Sequence, residues 1–221
     1  MQLHEDNRAL LALEAEFANE PPPHAERLAR MLGQRDYGAL RRRAAIGEAA
    51  LMLELFEDGA LAEMEGPLGR IGTGTVNEAQ RLNEDVIHLL DSVRRRLEQW
   101  EMPYYQQTSF DKMRLPRTRP ATFETMIRLE HTNRIAARVE ARRAVAVIAL
   151  HLSLHAREHG RMPARLRDLE HDASLPGDPI NGGSVAYRRD GETSFTLRIE
   201  ADAIEMEDVV WRWSHRPAAR P

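Results

Sequence analysis

The chain has 221 residues, of which 42% are hydrophobic and 30% are charged, and its formal net charge is -4. This length and hydrophobic content suit one large domain or two small ones with a buried core. Acidic and basic residues are interspersed, so no strong electrostatic field favours nucleic acid, and we expect no nucleic-acid partner. The chain contains no cysteine, which excludes disulfides, thiol catalysis and thiolate zinc sites.

The chain contains no apolar run long enough to cross a membrane. The longest run is AVAVIAL, residues 144–150, whereas a spanning helix needs roughly 20 residues. The N-terminal residues have neither the basic nor the apolar region of a signal peptide. We therefore expect membrane attachment only through a segment that is not present in this chain.

The first half of the chain has the pattern of several helices. Apolar residues recur at helical spacing, and prolines 21–23 precede the second segment as a helix-start signal. A Pro-rich stretch of poor periodicity, residues 101–120, predicts a linker. The glycines of residues 66–74 lack the preceding strand and the Gly-Lys-Ser/Thr of a phosphate loop, and we predict no cofactor. The predicted helical segments are NRALLALEAEF, EPPPHAERLARML, DYGALRRRAAIGEAALMLELFEDGA and VNEAQRLNEDVIHLLDSVRRRLEQW.

One long helix is predicted from Thr122 to His159, because this stretch contains neither proline nor glycine. Its second half is apolar nearly all round, which is typical of a helix that is buried on every side. Gly160 is placed to end the helix, and Pro163 follows three residues later. We therefore expect a spine helix that ends at Gly160.

The last third of the chain has the pattern of a small antiparallel sheet. Tyr187 precedes the hairpin turn signal Asp190-Gly191, and Phe195 and Leu197 alternate with polar residues after it. The stretch DVVWRW can supply a third strand. The predicted fold class is therefore α+β: an N-terminal helical region, then a long spine helix packed on a small antiparallel C-terminal sheet.

The stretch HAREHG matches the His-x-x-Glu-His pattern, in which two histidines hold zinc and the glutamate activates water. His155 and His159 are therefore the candidate zinc ligands, with Glu158 between them. A peptidase needs a third protein ligand, but turns and strands follow Gly160. His151 lies about 12 Å along the helix from His159, so the three histidines cannot share one ion. We predict an ordinary helix end here, with no metal and no catalytic residue.

The residues from Arg142 to Trp213 follow an ordered series: a long helix that ends at a glycine, a short turn, an Asp-Pro loop and an aromatic strand. In this order the stretch resembles the globular part of a type II secretion pseudopilin, the major pseudopilin in particular. The resemblance covers about a third of the chain. The matching residues are Gly160, Met162-Pro163, Asp178-Pro179, Gly182, Tyr187-Arg188 and Asp208.

The resemblance also implies an acidic calcium loop near the C-terminus. Asp202, Glu205 and Asp208 stand at about the position of that loop and are the candidate calcium ligands. The glycines that would shape a loop among them are absent. Ile204 and Met206 alternate with the acids, as in an edge strand whose polar face is wet. We therefore predict no calcium site at these residues.

These observations predict two regions and a function. Residues 1–118 form a helical region with a Pro-rich linker at its end, and residues 119–221 form a pseudopilin-like long helix plus a three-stranded sheet. The resemblance implies a non-enzymatic structural or interaction module of the bacterial cell envelope, with a protein partner. The location that it implies is the cell envelope, facing the periplasm, if the chain is part of an anchored protein, and the cytoplasm otherwise. Two alternatives stay open. One is a zinc-dependent hydrolase that uses the His155-x-x-Glu158-His159 helix, and the other is a cytoplasmic helical scaffold.

Overall fold

The computed structural model describes residues 2–17, 22, 24–57, 76–107, 120–169, 175–201 and 207–214. The glycine-rich stretch 66–74 and most of the predicted linker lie outside these residues. Helices occupy the first part of the chain and strands the last part. The elements are helices α1 (Gln2–Phe17), α2 (Ala25–Gly33), α3 (Tyr37–Glu57) and α4 (Val76–Gln99), the 3-10 helix η1 (Tyr104–Gln106), helix α5 (Pro120–His159), the 3-10 helix η2 (Leu166–Asp168), and strands β1 (Ala186–Arg189), β2 (Ser194–Ile199) and β3 (Val209–Ser214).

Helix α5 is the predicted spine helix. Its 40 residues correspond to about 60 Å at the usual rise of an α-helix. It begins at Pro120. Proline has no N–H group, and this costs no hydrogen bond in the first turn, because the N–H groups there have no partner within the helix. It ends before Gly160, which has a φ of 68° and donates its N–H to the carbonyl oxygen of Ala156 at 2.9 Å. A left-handed glycine is a common helix stop, so the predicted end of the helix is confirmed.

The three strands form one antiparallel sheet in the order β1-β2-β3. The register places Tyr187 opposite Leu197 and Leu197 opposite Trp211. The hairpin between β1 and β2 closes where the N–H groups of Asp190 and Gly191 donate to the carbonyl oxygen of Ser194, at 3.0 and 3.3 Å. Helix α5 packs on this sheet, so the predicted α+β layout is confirmed.

The chain divides into two compact units, one formed by Met1–Tyr37 with Ile135–Pro221 and the other by Gly38–Arg134. Helix α5 contributes its first part to the second unit and its last part to the first. The first unit therefore combines α1 and α2 with the C-terminal sheet. The predicted division into residues 1–118 and 119–221 stays a prediction.

The core of the first unit surrounds the last part of α5. Every residue from Ala144 to Leu150 is buried. Phe17 of α1 contacts Trp211 of β3 edge-to-face, with 5.5 Å between the ring centroids. Phe195 of β2 is fully buried. Among the described helices, none is long and apolar enough to cross a membrane.

We expect Gly160→Ala to lower the free energy of unfolding by about 1–2 kcal/mol, because a left-handed backbone brings Cβ close to the following carbonyl oxygen. An added Cβ at Gly160 would meet no heavy atom within 4 Å, so the loss would measure backbone strain alone. Urea unfolding followed by circular dichroism gives the value.

Gly47→Ala is the matched control for this substitution. Gly47 is exposed inside α3, and an added Cβ there also meets nothing within 4 Å. Its backbone is helical, so alanine should stabilise the protein by about 0.5–1 kcal/mol. Equal stability changes in the two variants would show that the conformation of Gly160 is not strained for alanine.

Candidate functional site

The candidate zinc ligands lie in the last turns of α5. The imidazole rings of His155 and His159 are stacked, with 4.1 Å between their centroids and 17° between their planes. Nδ1 of His159 lies 3.1 Å from the carbonyl oxygen of His155. His155 is half-buried, whereas Glu158 and His159 are exposed. The structure thus brings the two candidate ligands together at the surface.

A hydrolytic zinc centre needs a third protein ligand near these two rings. Within the described part of the chain, no three His, Cys, Asp or Glu side chains are placed to hold one ion. The exposed carboxylate of Glu158 lies on the same turn as His159. The described residues therefore provide two imidazoles and no closed metal site.

The chain that follows α5 is tied to the β1–β2 hairpin. The N–H of Met162 donates to the carbonyl oxygen of Glu192 at 2.7 Å, and the hydroxyl of Tyr187 donates to the carbonyl oxygen of Pro163 at 2.8 Å. Met162 is buried. Burial raises the pKa of Tyr187 to about 12. These contacts fix the end of α5 against the hairpin end of the sheet.

The Asp-Pro loop is organised by the carboxylate of Asp178. This buried carboxylate accepts hydrogen bonds from the N–H groups of Ile180 and Asn181, at 2.8 and 3.0 Å, and from Nδ2 of Asn181 at 3.0 Å. Gly182 and Gly183 follow with φ values of 74° and 97°. The carboxylate of Asp178 therefore stabilises its own loop through these hydrogen bonds.

Of the candidate calcium ligands, only Asp208 lies within the described residues, since Asp202 and Glu205 fall outside them. Oδ1 of Asp208 accepts the N–H of Ala201 at 2.9 Å, and Oδ2 accepts Nε and Nη2 of Arg198 at 3.1 and 2.6 Å. The backbone bond from Ala201, and then Arg198, hold the pKa of Asp208 below its usual range. A cation at Asp208 would compete with these partners for the carboxylate oxygens.

A polar network fills the contact between α4 and α5 in the second unit. Arg96 and Glu130 form a buried ion pair, and Arg134 adds a second contact to Glu130 at 3.5 Å. The hydroxyl of Thr122 donates to Oδ1 of Asp85 at 2.6 Å. The sequence reasoning missed this network. The only signal for it is that residues 85, 92 and 96 of α4 are polar and share one helical stripe.

Helices α3 and α4 each carry exposed apolar side chains. Ile87 is 68% exposed and Leu90 is 45% exposed on α4. Leu89, one residue earlier, is buried, as are Ser92 and Arg96 of the same helix. We name the four side chains Ile46, Leu51, Ile87 and Leu90 the outer apolar positions.

Comparison with protein-family models, with curated proteins and with solved structures finds no match to this chain. Its function must therefore be argued from the sites described above.

The hydrogen bond of Tyr187 predicts a specific alkaline response. The raised pKa means that the folded protein holds the phenol proton more tightly than the unfolded chain does. The stability that it contributes is present below pH 10 and is lost as the pH rises through about 12. Tyr187→Phe should remove this part of the alkaline decline. At neutral pH it should lower the free energy of unfolding by about 0.5–1.5 kcal/mol, the net value of one hydrogen bond.

Urea unfolding of both proteins, at neutral pH and across the interval from pH 10 to pH 12, measures the effect of Tyr187. Other groups that titrate in this interval are common to both proteins and cancel in the difference. An identical pH slope in the two proteins would show that folding does not raise the pKa of Tyr187.

We expect no calcium binding at the acidic stretch, because both carboxylate oxygens of Asp208 already accept hydrogen bonds. Calorimetric titration with CaCl2 should stay silent up to millimolar concentrations. Micromolar binding that is abolished by Asp208→Ala, and retained in Glu84→Ala at an exposed position of α4, would show that this prediction is wrong.

Proposed function

We propose that this chain is a non-enzymatic structural or interaction module of the bacterial cell envelope whose C-terminal part is pseudopilin-like. One observation carries the proposal: α5, the left-handed Gly160, the Asp178 loop, the hairpin and β3 follow one another in the order on which the resemblance rests. Gly160, Asp178 and Tyr187, three of the residues on which the resemblance rests, lie in the helix stop, the loop and the hairpin. In this proposal any membrane attachment comes from a segment that is not in this chain.

The outer apolar positions support the interaction part of this proposal. Burying an aliphatic side chain contributes about 1.5–3 kcal/mol. The exposed side chain of Ile87 gains this free energy only if a partner covers it. The interior of the same unit instead holds the ion pair of Arg96 with Glu130. The exposed side chains of Ile87 and Leu90 favour a surface on α4 that a protein partner covers.

The zinc hydrolase receives less support from the described residues. Its two candidate ligands, His155 and His159, lie close together. Among the described residues, no third ligand is placed beside them. A catalytic zinc site keeps three protein ligands and one open position. We therefore favour the interaction module over the hydrolase.

The envelope location is tested in the native host with reporter fusions to the complete gene product. Alkaline phosphatase, which is active only outside the cytoplasm, should be active when it is fused at the C-terminus. A reporter that is active only in the cytoplasm should be inactive at the same position. The reverse result would favour the cytoplasmic helical scaffold.

The partner surface is tested by placing a photo-crosslinking amino acid at Ile87 in the same host. We expect a discrete crosslinked protein species from this position. Met31, which is exposed on α2, provides a control position of similar character outside α3 and α4. Equal crosslinking from both positions, or none from Ile87, would contradict a partner surface on α4.

A further inference from the structure

We propose that Asn181-Gly182 is a site of spontaneous deamidation, and that the closed loop around Asp178 sets the rate of this reaction. Deamidation here is a covalent self-modification of the chain that needs only water. The inference does not rest on the proposed function, because it depends only on the chemistry and the hydrogen bonds of this loop.

The first argument is the dipeptide itself. Asn181 is the only asparagine in the sequence that is followed by glycine. In deamidation, the backbone nitrogen of the next residue attacks the side-chain carbonyl carbon of asparagine. Glycine has no side chain to shield that nitrogen, and its backbone reaches conformations that other residues rarely adopt. Asn181 is exposed, so water can reach the reacting atoms.

The reaction balances without any further reactant. The nitrogen of Gly182 loses its proton to solvent and forms a bond to Cγ of Asn181, while the side-chain nitrogen takes up a proton and leaves as ammonia. The product is a five-membered succinimide. Water then opens this ring at either carbonyl group, which leaves aspartate or isoaspartate at the position. Water is consumed, ammonia is released, and no atom is oxidised or reduced.

The second argument is that the closed loop holds both reacting groups in other bonds. Nδ2 of Asn181 donates to Oδ2 of Asp178 at 3.0 Å and to the carbonyl oxygen of Glu200 at 2.9 Å. The N–H of Gly182 donates to the carbonyl oxygen of Asp178 at 3.0 Å. The attack requires that the side chain of Asn181 turns and that Gly182 loses this proton, so these bonds have to break first. The reaction therefore proceeds from an open form of the loop.

The same contacts oppose closure of the loop after deamidation. The two groups that face Nδ2 of Asn181, the carboxylate of Asp178 and the carbonyl of Glu200, only accept hydrogen bonds. A carboxylate oxygen in place of Nδ2 has no hydrogen atom to donate to them, and the negative charge of Asp178 repels it. The modified loop should therefore open more readily than the original one.

Peptide mapping by mass spectrometry, on the full chain kept at mildly alkaline pH, measures the rate at Asn181. We expect both aspartate and isoaspartate as products. The reaction should be about tenfold or more slower in the folded chain than in the same chain in urea, because opening the loop breaks several hydrogen bonds. Asn83, which is exposed on α4 and followed by Glu84, is the internal control and should stay intact over the same period.

Asp178→Ser tests the protection by the loop. Serine offers one short acceptor for the backbone of the turn and no second oxygen for Nδ2 of Asn181. Circular dichroism checks that the variant is folded, and its rate of deamidation should rise towards the rate in urea. No deamidation of Asn181 in urea would overturn the site. Equal rates in the folded and urea-unfolded chain, or an unchanged rate in folded Asp178→Ser, would overturn the control by the loop.

Asn181→Asp imitates the aspartate product, and hydrogen exchange measures how often its loop opens. The N–H groups of Ile180 and Gly182, which donate to Asp178 in the closed loop, should exchange about tenfold faster than in the parent chain. Asn83→Asp is the matched control, because it adds the same charge at an exposed position of α4, and it should leave both exchange rates unchanged. Parent-like exchange in Asn181→Asp, or equal acceleration by Asn83→Asp, would overturn the proposed effect of deamidation on the loop.

Discussion

The burial of residues 144–150 on every side of α5 is the constraint on which the rest of the first unit depends. A helix that is apolar all round has to be enclosed. The sheet covers one side of it, and Phe17 attaches α1 to the same sheet through Trp211. A three-stranded sheet needs such packing to be stable. Each large side chain removed from water here, such as Phe195, contributes about 1.5–3 kcal/mol.

The same constraint fixes the surface at the end of α5. Once the helix is held under the sheet, Gly160 turns the chain, and the bonds of Met162 and Tyr187 fasten the turn to the hairpin. The last turns of α5 leave the core at this point, so exposure rises from the half-buried His155 to the exposed His159. The position of the histidine pair is therefore a consequence of core packing, while its ring geometry is set by the local hydrogen bond and stacking.

The second unit is organised by a different balance of forces. Removing Arg96 and Glu130 from water costs free energy, and their mutual attraction offsets this cost only when the geometry is good. A buried ion pair is therefore weak evidence that the pair stabilises the fold. It does favour one pairing of α4 with α5 over others, since any slip would leave a buried charge alone. The outward apolar side chains, Ile87 above all, have no such internal role.

The sequence by itself determined the features that depend on neighbouring residues. A stretch without proline or glycine predicted α5, and Gly160 predicted its end. The alternation of apolar and polar residues around Asp190-Gly191 predicted the hairpin. These signals are readable because they act between neighbouring residues. Only the tertiary structure decided which distant segments meet. Phe17 joins α1 to the sheet, Leu90 faces outward while Arg96 is buried, and Asp208 is occupied by Arg198. These outcomes depend on long-range packing and charge pairing. An amphipathic helix can bury more than one of its faces, and the segment that packs against it decides which face is buried.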